Sequence, residues 1–249
     1  MSDVLLVNDR GAVRILTMNR PEKRNALDTG LTRALLDGLR AADAADSVAC
    51  VVLAGAGQGF CAGADLSEFK DLTPDKQHLV EERAELTMQL HLAFSKMAKP
   101  VVTAIQGAAM GGGAGLAIAG DLAVMAEGAK LGYPETRHGI VAAIVMANLV
   151  RQTGRKRAFE LVAFGEPLPA AKALEYGLVN RVVPDRDLMA EAFVLAEKLS
   201  NTKPEALKAT KQLFHEVADL PLEAALQRGR EMNKRMRAFN AKSRPAGKA

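Results

Sequence analysis

Apolar positions along the chain fall into two recurring patterns, strand-like alternation and helical spacing. Residues 4–7 and 13–18 read as short strands around Asp9-Arg10-Gly11, a turn-like interruption, with Val13, Ile15 and Thr17 on one face. From Asp28 to Ala42 the spacing becomes helical, with Leu31, Leu35 and Leu39 four apart along one stripe. Val48–Ala54 is a β-branched, apolar run of the kind found in buried parallel strands. A glycine-rich loop follows (Gly55, Gly57, Gly59, Gly63). Polar residues 71–82, which carry Pro74, read as a mobile segment before a helix near 82–97. The order then recurs: strand Val101–Ile105, glycine loop 107–113, helix to about Ala119, strand Leu122–Met125. Ala170–Tyr176 reads as a short helix closed by Gly177, and Asn180–Val183 as a last short strand. From Asp187 onward the pattern is helical, interrupted by Pro204 and Pro221.

Strand, glycine loop and helix, occurring twice, predict an α/β architecture with ligand-facing loops at the strand ends. No Pro-, Gly- or Ser-rich linker separates domains, so the expectation is a core over residues 1–190 with a helical extension over 191–249. The 33 Lys and Arg exceed the 29 Asp and Glu, a net charge of +4. That excess is local. From Arg228 onward there are eight basic residues and one acid, Glu231, which leaves the preceding chain at −3. A body-wide nucleic-acid surface is therefore not expected, and the tail's only aromatic is Phe239. The two cysteines, Cys50 and Cys61, make no disulfide framework, and the four histidines have no metal-ligand spacing. No apolar run reaches the ~18–20 residues of a membrane span. The start, Met-Ser-Asp-Val, lacks the features of a signal peptide, so the expected location is the cytoplasm.

The glycine loops narrow the chemistry. A dinucleotide fingerprint would place glycine where Phe60 stands, and neither loop has the Lys-Ser or Lys-Thr of a P-loop. No serine occupies a G-x-S-x-G context. What remains is a loop of small residues running into a helix, twice: Cys61-Ala62-Gly63-Ala64 and Gly111-Gly112-Gly113. Two readings stay open from spacing alone. The glycines allow backbone to pack tightly on backbone. Alternatively they free N–H groups to converge on one ligand oxygen as an oxyanion hole, each donor worth ~10²–10³ in rate.

Three segments carry a specific resemblance: Asn19-Arg20-Pro21-Glu22-Lys23-Arg24-Asn25-Ala26-Leu27, Gly59–Leu66 and Gln106–Gly113. Together with Tyr133-Pro134-Glu135, Ala170–Gly177 and Gly177-Leu178-Val179-Asn180, they are similar to the crotonase (enoyl-CoA hydratase/isomerase) superfamily over nearly the whole chain. The resemblance implies a crotonase-like spiral of ββα units with a helical C-terminal extension used in assembly, as a homotrimer or dimer of trimers. It implies an acyl-CoA thioester as substrate, coenzyme A being part of that substrate, with no separate cofactor, metal, membrane or nucleic-acid partner. By position, the oxyanion donors would be the N–H groups of Ala64 and Gly112. Ala62, Gly63, Asp65, Leu66, Gly111 and Ala26 would line the substrate.

Hydratases of this family commonly carry two glutamates, and the matching positions here are Gly115 and Glu135. One acid is kept and one is lost. Residues 139–147 contain no acid, which argues against the dienoyl isomerases and dehalogenases. The leading expectation is an enoyl-CoA hydratase using Glu135 and a backbone-held enolate. The alternatives are a Δ3,Δ2-enoyl-CoA isomerase using Glu135 alone, an acyl-CoA hydrolase or lyase of the same superfamily, and a non-catalytic RNA-associated homologue. The apolar run Ile140–Val145 is expected to raise the pKa of Glu135. His138, one helical turn on, touches the site or is structural. Lys23 and Arg24 meet CoA phosphates or form an exposed turn. Cys61 reads as a small filler, and Asp65 as a brace as much as a contact. Phe239 and Lys242 are carried over as reaching a neighbouring subunit's CoA pocket.

Overall fold

The computed structural model describes residues 3–70 and 73–242; the side chains of Phe69, Pro74 and residues 238–242 lie outside that description. Among the described residues the strands are β1 (Leu5–Arg10), β2 (Val13–Met18), β3 (Cys50–Gly55), β4 (Val101–Ile105), β5 (Ala108–Met110), β6 (Leu122–Ala126), β7 (Lys130–Gly132), β8 (Leu168–Pro169) and β9 (Arg181–Val183). They form two sheets, a six-stranded one ordered β1-β2-β3-β4-β6-β9 and a three-stranded one ordered β5-β7-β8. In the large sheet β1 and β2 are antiparallel and every later neighbour is parallel. Each turn of the chain adds one strand to the large sheet. Twice, at β5 and β7, it then adds a short parallel strand to the small one. That is the expected spiral of ββα units.

The β-branched runs are buried on both faces, as parallel strands must be: β4 is buried throughout and β3 up to its last residue. Helix α1 (Thr29–Ala44) starts at Asp28, whose side chain accepts the Leu31 N–H at 2.7 Å, and buries Leu31, Leu35 and Leu39 as predicted. Helix α2 (Gln77–Lys96) starts five residues before the expected position. Asp9 and Arg10, read as a turn, belong to β1 and pair with Arg14 and Val13, so the hairpin turns on Gly11 and Ala12. Gly11 adopts φ 59°, which lets the turn close in two residues.

The remaining helices are α3 (Gly112–Ala117), α4 (Met146–Phe164, broken at Gly154), α5 (Ala170–Glu175), α6 (Leu188–Ser200), α7 (Pro204–Val217) and α8 (Leu222–Lys242). The boundary expected at residue 190 falls inside α6, which packs on β2, β3, β4 and β6 and buries Leu188, Ala192, Phe193, Leu195 and Ala196. Helix α7 is tied down by one buried ion pair: Lys211 Nζ donates to Asp121 Oδ2 at 2.7 Å and to the Lys99 carbonyl at 2.9 Å. Among the described residues no helix is long and apolar enough to cross a membrane.

Candidate active site

The small-residue loop after β3 is stitched along both edges. On one side Leu27 N–H donates to Gly63 O (2.7 Å), Asp65 N–H to Leu27 O (3.0 Å), and Ala62 N–H to Arg24 O (2.9 Å). On the other, Cys61 N–H donates to Ala108 O (3.1 Å) and Met110 N–H to Cys61 O (2.9 Å). The loop is therefore pinned between the segment before α1 and strand β5, which leads into α3. This brings Gly63 and Ala64 against Gly111 and Gly112.

The approach leaves no room for side chains. Gly63 has φ 94°, and a Cβ on it would lie 2.7 Å from Met110 O and 3.4 Å from Gly112 N. A Cβ on Gly112 would lie 3.9 Å from Ala64 N. Among the described residues neither Ala64 N–H nor Gly112 N–H has an acceptor, so two backbone donors stand free side by side. Gly111, at φ 52°, faces the carboxyl of Glu135: a Cβ there would lie 2.9 Å from Oε1. Glu135 sits in a short 3-10 turn, Pro134–His138, that follows β7. Its Oε2 is buried without a partner, as is the hydroxyl of the neighbouring Tyr133. Burial raises the Glu135 pKa, outweighing its own backbone N–H and the charge of His138, and burial also raises that of Tyr133.

The direction of the Glu135 shift is the one expected; within the apolar run Ile140–Val145, Ala142 and Val145 are buried and Val141 is 70% exposed. The position of the absent acid is closed. A Cβ on Gly115 would lie 2.3 Å from Val145 Cγ1 and 2.8 Å from His91 Cε1.

The other expected residues sort by position. Ala26 is buried beside the stitched loop, while Ala62 is exposed. Leu66 is half exposed. Lys23 and Arg24 are exposed at a turn whose Arg24 carbonyl anchors Ala62. His138 is exposed and reaches Glu135 only through its charge. Asp65 is buried and occupied: it accepts from the Ser67 hydroxyl (2.6 Å), the Ser67 N–H (3.1 Å) and Arg20 (3.0 Å), and these hold its pKa down at about 2. Cys61 donates its thiol to Asn25 O at 3.0 Å, and burial pushes its pKa up to about 12, which leaves no thiolate. Phe239 and Lys242 fall at the end of α8, where side chains lie outside the described residues.

Two supports were not singled out by sequence. Asn25 is fully buried at φ 55° and donates to the carbonyls of Ala56 (2.9 Å), Gly59 (2.9 Å) and Phe60 (3.1 Å). Arg20 bridges Asp65 (3.0 Å) and the helix cap Asp28 (3.1 Å).

A family model described as enoyl-CoA hydratase/isomerase matches residues 8–246. The 2,3-dehydroadipyl-CoA hydratase of Escherichia coli K12 is 36% identical over 231 residues, covering 92% of this chain and 88% of the relative. A crystal structure of an enoyl-CoA hydratase from Bacillus anthracis aligns with TM-score 0.88 at 30% identity, over 98% of both chains. That of a monofunctional enoyl-CoA isomerase from M. smegmatis aligns with TM-score 0.78 at 30% identity, over 91% of this chain and 99% of the other.

Proposed function

Because the chain belongs to the enoyl-CoA hydratase/isomerase family, we propose that it hydrates a 2-enoyl-CoA thioester with Glu135 as its single acid–base group. The observation that carries this reading is the Glu135 carboxyl lying against Gly111, next to the free N–H groups of Ala64 and Gly112. Attack at C3 moves negative charge onto the thioester oxygen. Two fixed donors stabilise that charge without reorganising, each worth ~10²–10³ in rate. Glu135 takes a proton from water and returns it to C2, help worth ~10²–10⁴. A carboxyl whose pKa is raised by burial holds the proton it takes more firmly than a free carboxylate does.

The exposed Lys23 and Arg24, beside the loop, suit the phosphates of coenzyme A, which arrives as part of the substrate, so no further cofactor is required. The family assembly as trimers, or trimer pairs, is proposed with it. A second reading, Δ3,Δ2-enoyl-CoA isomerase, is favoured by one observation: Val145 and His91 fill the space beside Gly115, leaving one carboxylate to shuttle a proton between C4 and C2.

Loss of the conjugated thioester absorbance of crotonyl-CoA tests hydration, and gain of it from a 3-enoyl-CoA tests isomerisation. Glu135→Gln is expected to lower whichever rate is found by at least ~10²-fold. Undiminished activity in that variant would remove Glu135 from the mechanism.

A further inference from the structure

The Ala64 N–H owes its aim to a register. Leu27 and Ala64 form a parallel bridge, in which Leu27 N–H donates to Gly63 O at 2.7 Å and Leu27 O accepts from Asp65 N–H at 3.0 Å. In such a pair the residue opposite, here Ala64, points its own N–H to the far side. That is the side of Gly112, where a Cβ would lie 3.9 Å from Ala64 N. A slip of one residue would turn the Ala64 N–H into the ladder and aim a neighbour's outward instead. One more bond, Ala62 N–H to Arg24 O at 2.9 Å, completes the ladder. Three bonds along a glycine-containing strand specify a register only weakly.

Asn25 sits at the start of this ladder, fully buried at φ 55°. Its Nδ2 gathers the carbonyls of Ala56 (2.9 Å), Gly59 (2.9 Å) and Phe60 (3.1 Å), while Oδ1 accepts the Arg20 N–H at 2.9 Å. Its own carbonyl accepts the Cys61 thiol at 3.0 Å. The loop closes so tightly on the amide that a Cβ on Gly55 would lie 2.8 Å from Nδ2. Glycine would meet the backbone conformation without gathering the carbonyls, and an ionised aspartate would face them with oxygens. Of the residues that accept this φ, asparagine alone brings two amide donors together with an acceptor. From this arrangement we propose that Asn25 is a positioning residue for the reaction. By clamping residues 56–60 it fixes the register of 61–65 on 24–27, and so decides which N–H of the loop faces the thioester oxygen. The proposal rests on the oxyanion reading above and holds for hydration and isomerisation alike. Asn25 touches no substrate atom and carries no proton.

The thioester carbonyl itself reports the aim, because hydrogen bonds to its oxygen weaken the C=O bond and lower its stretching frequency. Butyryl-CoA has no C2=C3 bond to hydrate. Labelled with carbon-13 at C1, it lets isotope-edited infrared difference spectra follow the bound carbonyl alone. Wild type is expected to lower that frequency relative to free butyryl-CoA. In Asn25→Gly, or in Asn25→Asp should the first not fold, the lowering is expected to shrink by roughly half, the share of one donor in two. The rate on an enoyl-CoA should fall by ~10²-fold in kcat, with KM changed far less. A merely structural role would leave the carbonyl of the folded variant as it is in wild type. A full lowering in the folded Asn25 variant, or a loss confined to KM, would overturn the proposal. Failure of the oxyanion reading looks different: wild type itself would bind butyryl-CoA with its carbonyl unshifted.

Discussion

A Cβ on Gly115 meets Val145 Cγ1 at 2.3 Å and His91 Cε1 at 2.8 Å, inside contact distance on two sides. Restoring a glutamate there therefore overpacks the core before it adds any chemistry. Gly115→Glu is expected to lower stability by ~1–3 kcal/mol or more, read as a lower denaturant midpoint at unchanged slope. Adding Val145→Gly removes the nearer obstacle and should recover much of the loss. A single variant as stable as wild type would mean that the space is open after all. Glu135 gives a pH signature. On the proposed mechanism it must be ionised to take a proton from water, and burial raises its folded pKa above the usual 4.5. The kcat/KM for hydration should therefore fall with acid around a midpoint above 4.5, and the stopped variant Glu135→Gln should lose that limb. Glu135 and the glycines were legible in sequence because their neighbours form contiguous motifs. Asn25 and His91 were not. Asn25 holds carbonyls 31, 34 and 35 residues away, and His91 meets Gly115 across α2 and α3, contacts that no local spacing encodes.

Elements with their own hydrophobic period were predictable, and elements defined by a partner were not. β4 was located to the residue and α1 to within two, because their burial is written into β-branched runs and a leucine stripe. β5, β7 and β8 span three, three and two residues, too few for alternation to register, and exist through pairing with one another. Helix α4 escaped because Gly154 breaks it and only four of its residues, Leu149, Ala158, Leu161 and Val162, are buried. Helix α7 carries a testable dependence on one contact. Lys211 Nζ meets Asp121, which also accepts the Val101 N–H at 2.7 Å, so the pair joins the helix to the start of β4. Lys211→Ala leaves the Asp121 carboxylate with only the Val101 N–H and His215 as partners and is expected to cost ~3 kcal/mol, while Lys211→Met with Asp121→Asn should cost less. Burial would raise the Asp121 pKa, but His215, Lys211 and the Val101 N–H together hold it below 3.8. Its contribution is thus complete above that value and lost as pH falls through the folded pKa. Thermal melts of both variants from neutral to acid pH check magnitude and sign together.

Charge separates the molecule into a body at −3 and a final stretch from Arg228 at +7. Within that stretch Glu231 is the one acid, and Arg230 (3.0 Å) and Lys234 (3.2 Å) both turn to it. A CoA thioester brings a 3′-phosphate and a diphosphate, a compact polyanion whose approach such a field accelerates. Fields of this kind act within a Debye length, ~10 Å at 0.1 M salt and ~3 Å at 1 M. If the basic end steers the substrate, replacing Lys242, Arg244 and Lys248 with glutamine should weaken CoA-thioester binding up to roughly tenfold at low salt, mainly through a slower on-rate. The difference should close as salt approaches 1 M, because the screened wild type loses the same advantage. Glutamine keeps chain length and helical propensity, so a change in the end of α8 does not confound the comparison. Equal affinities for the two proteins across the whole salt range would mean that the on-rate owes nothing to those three charges.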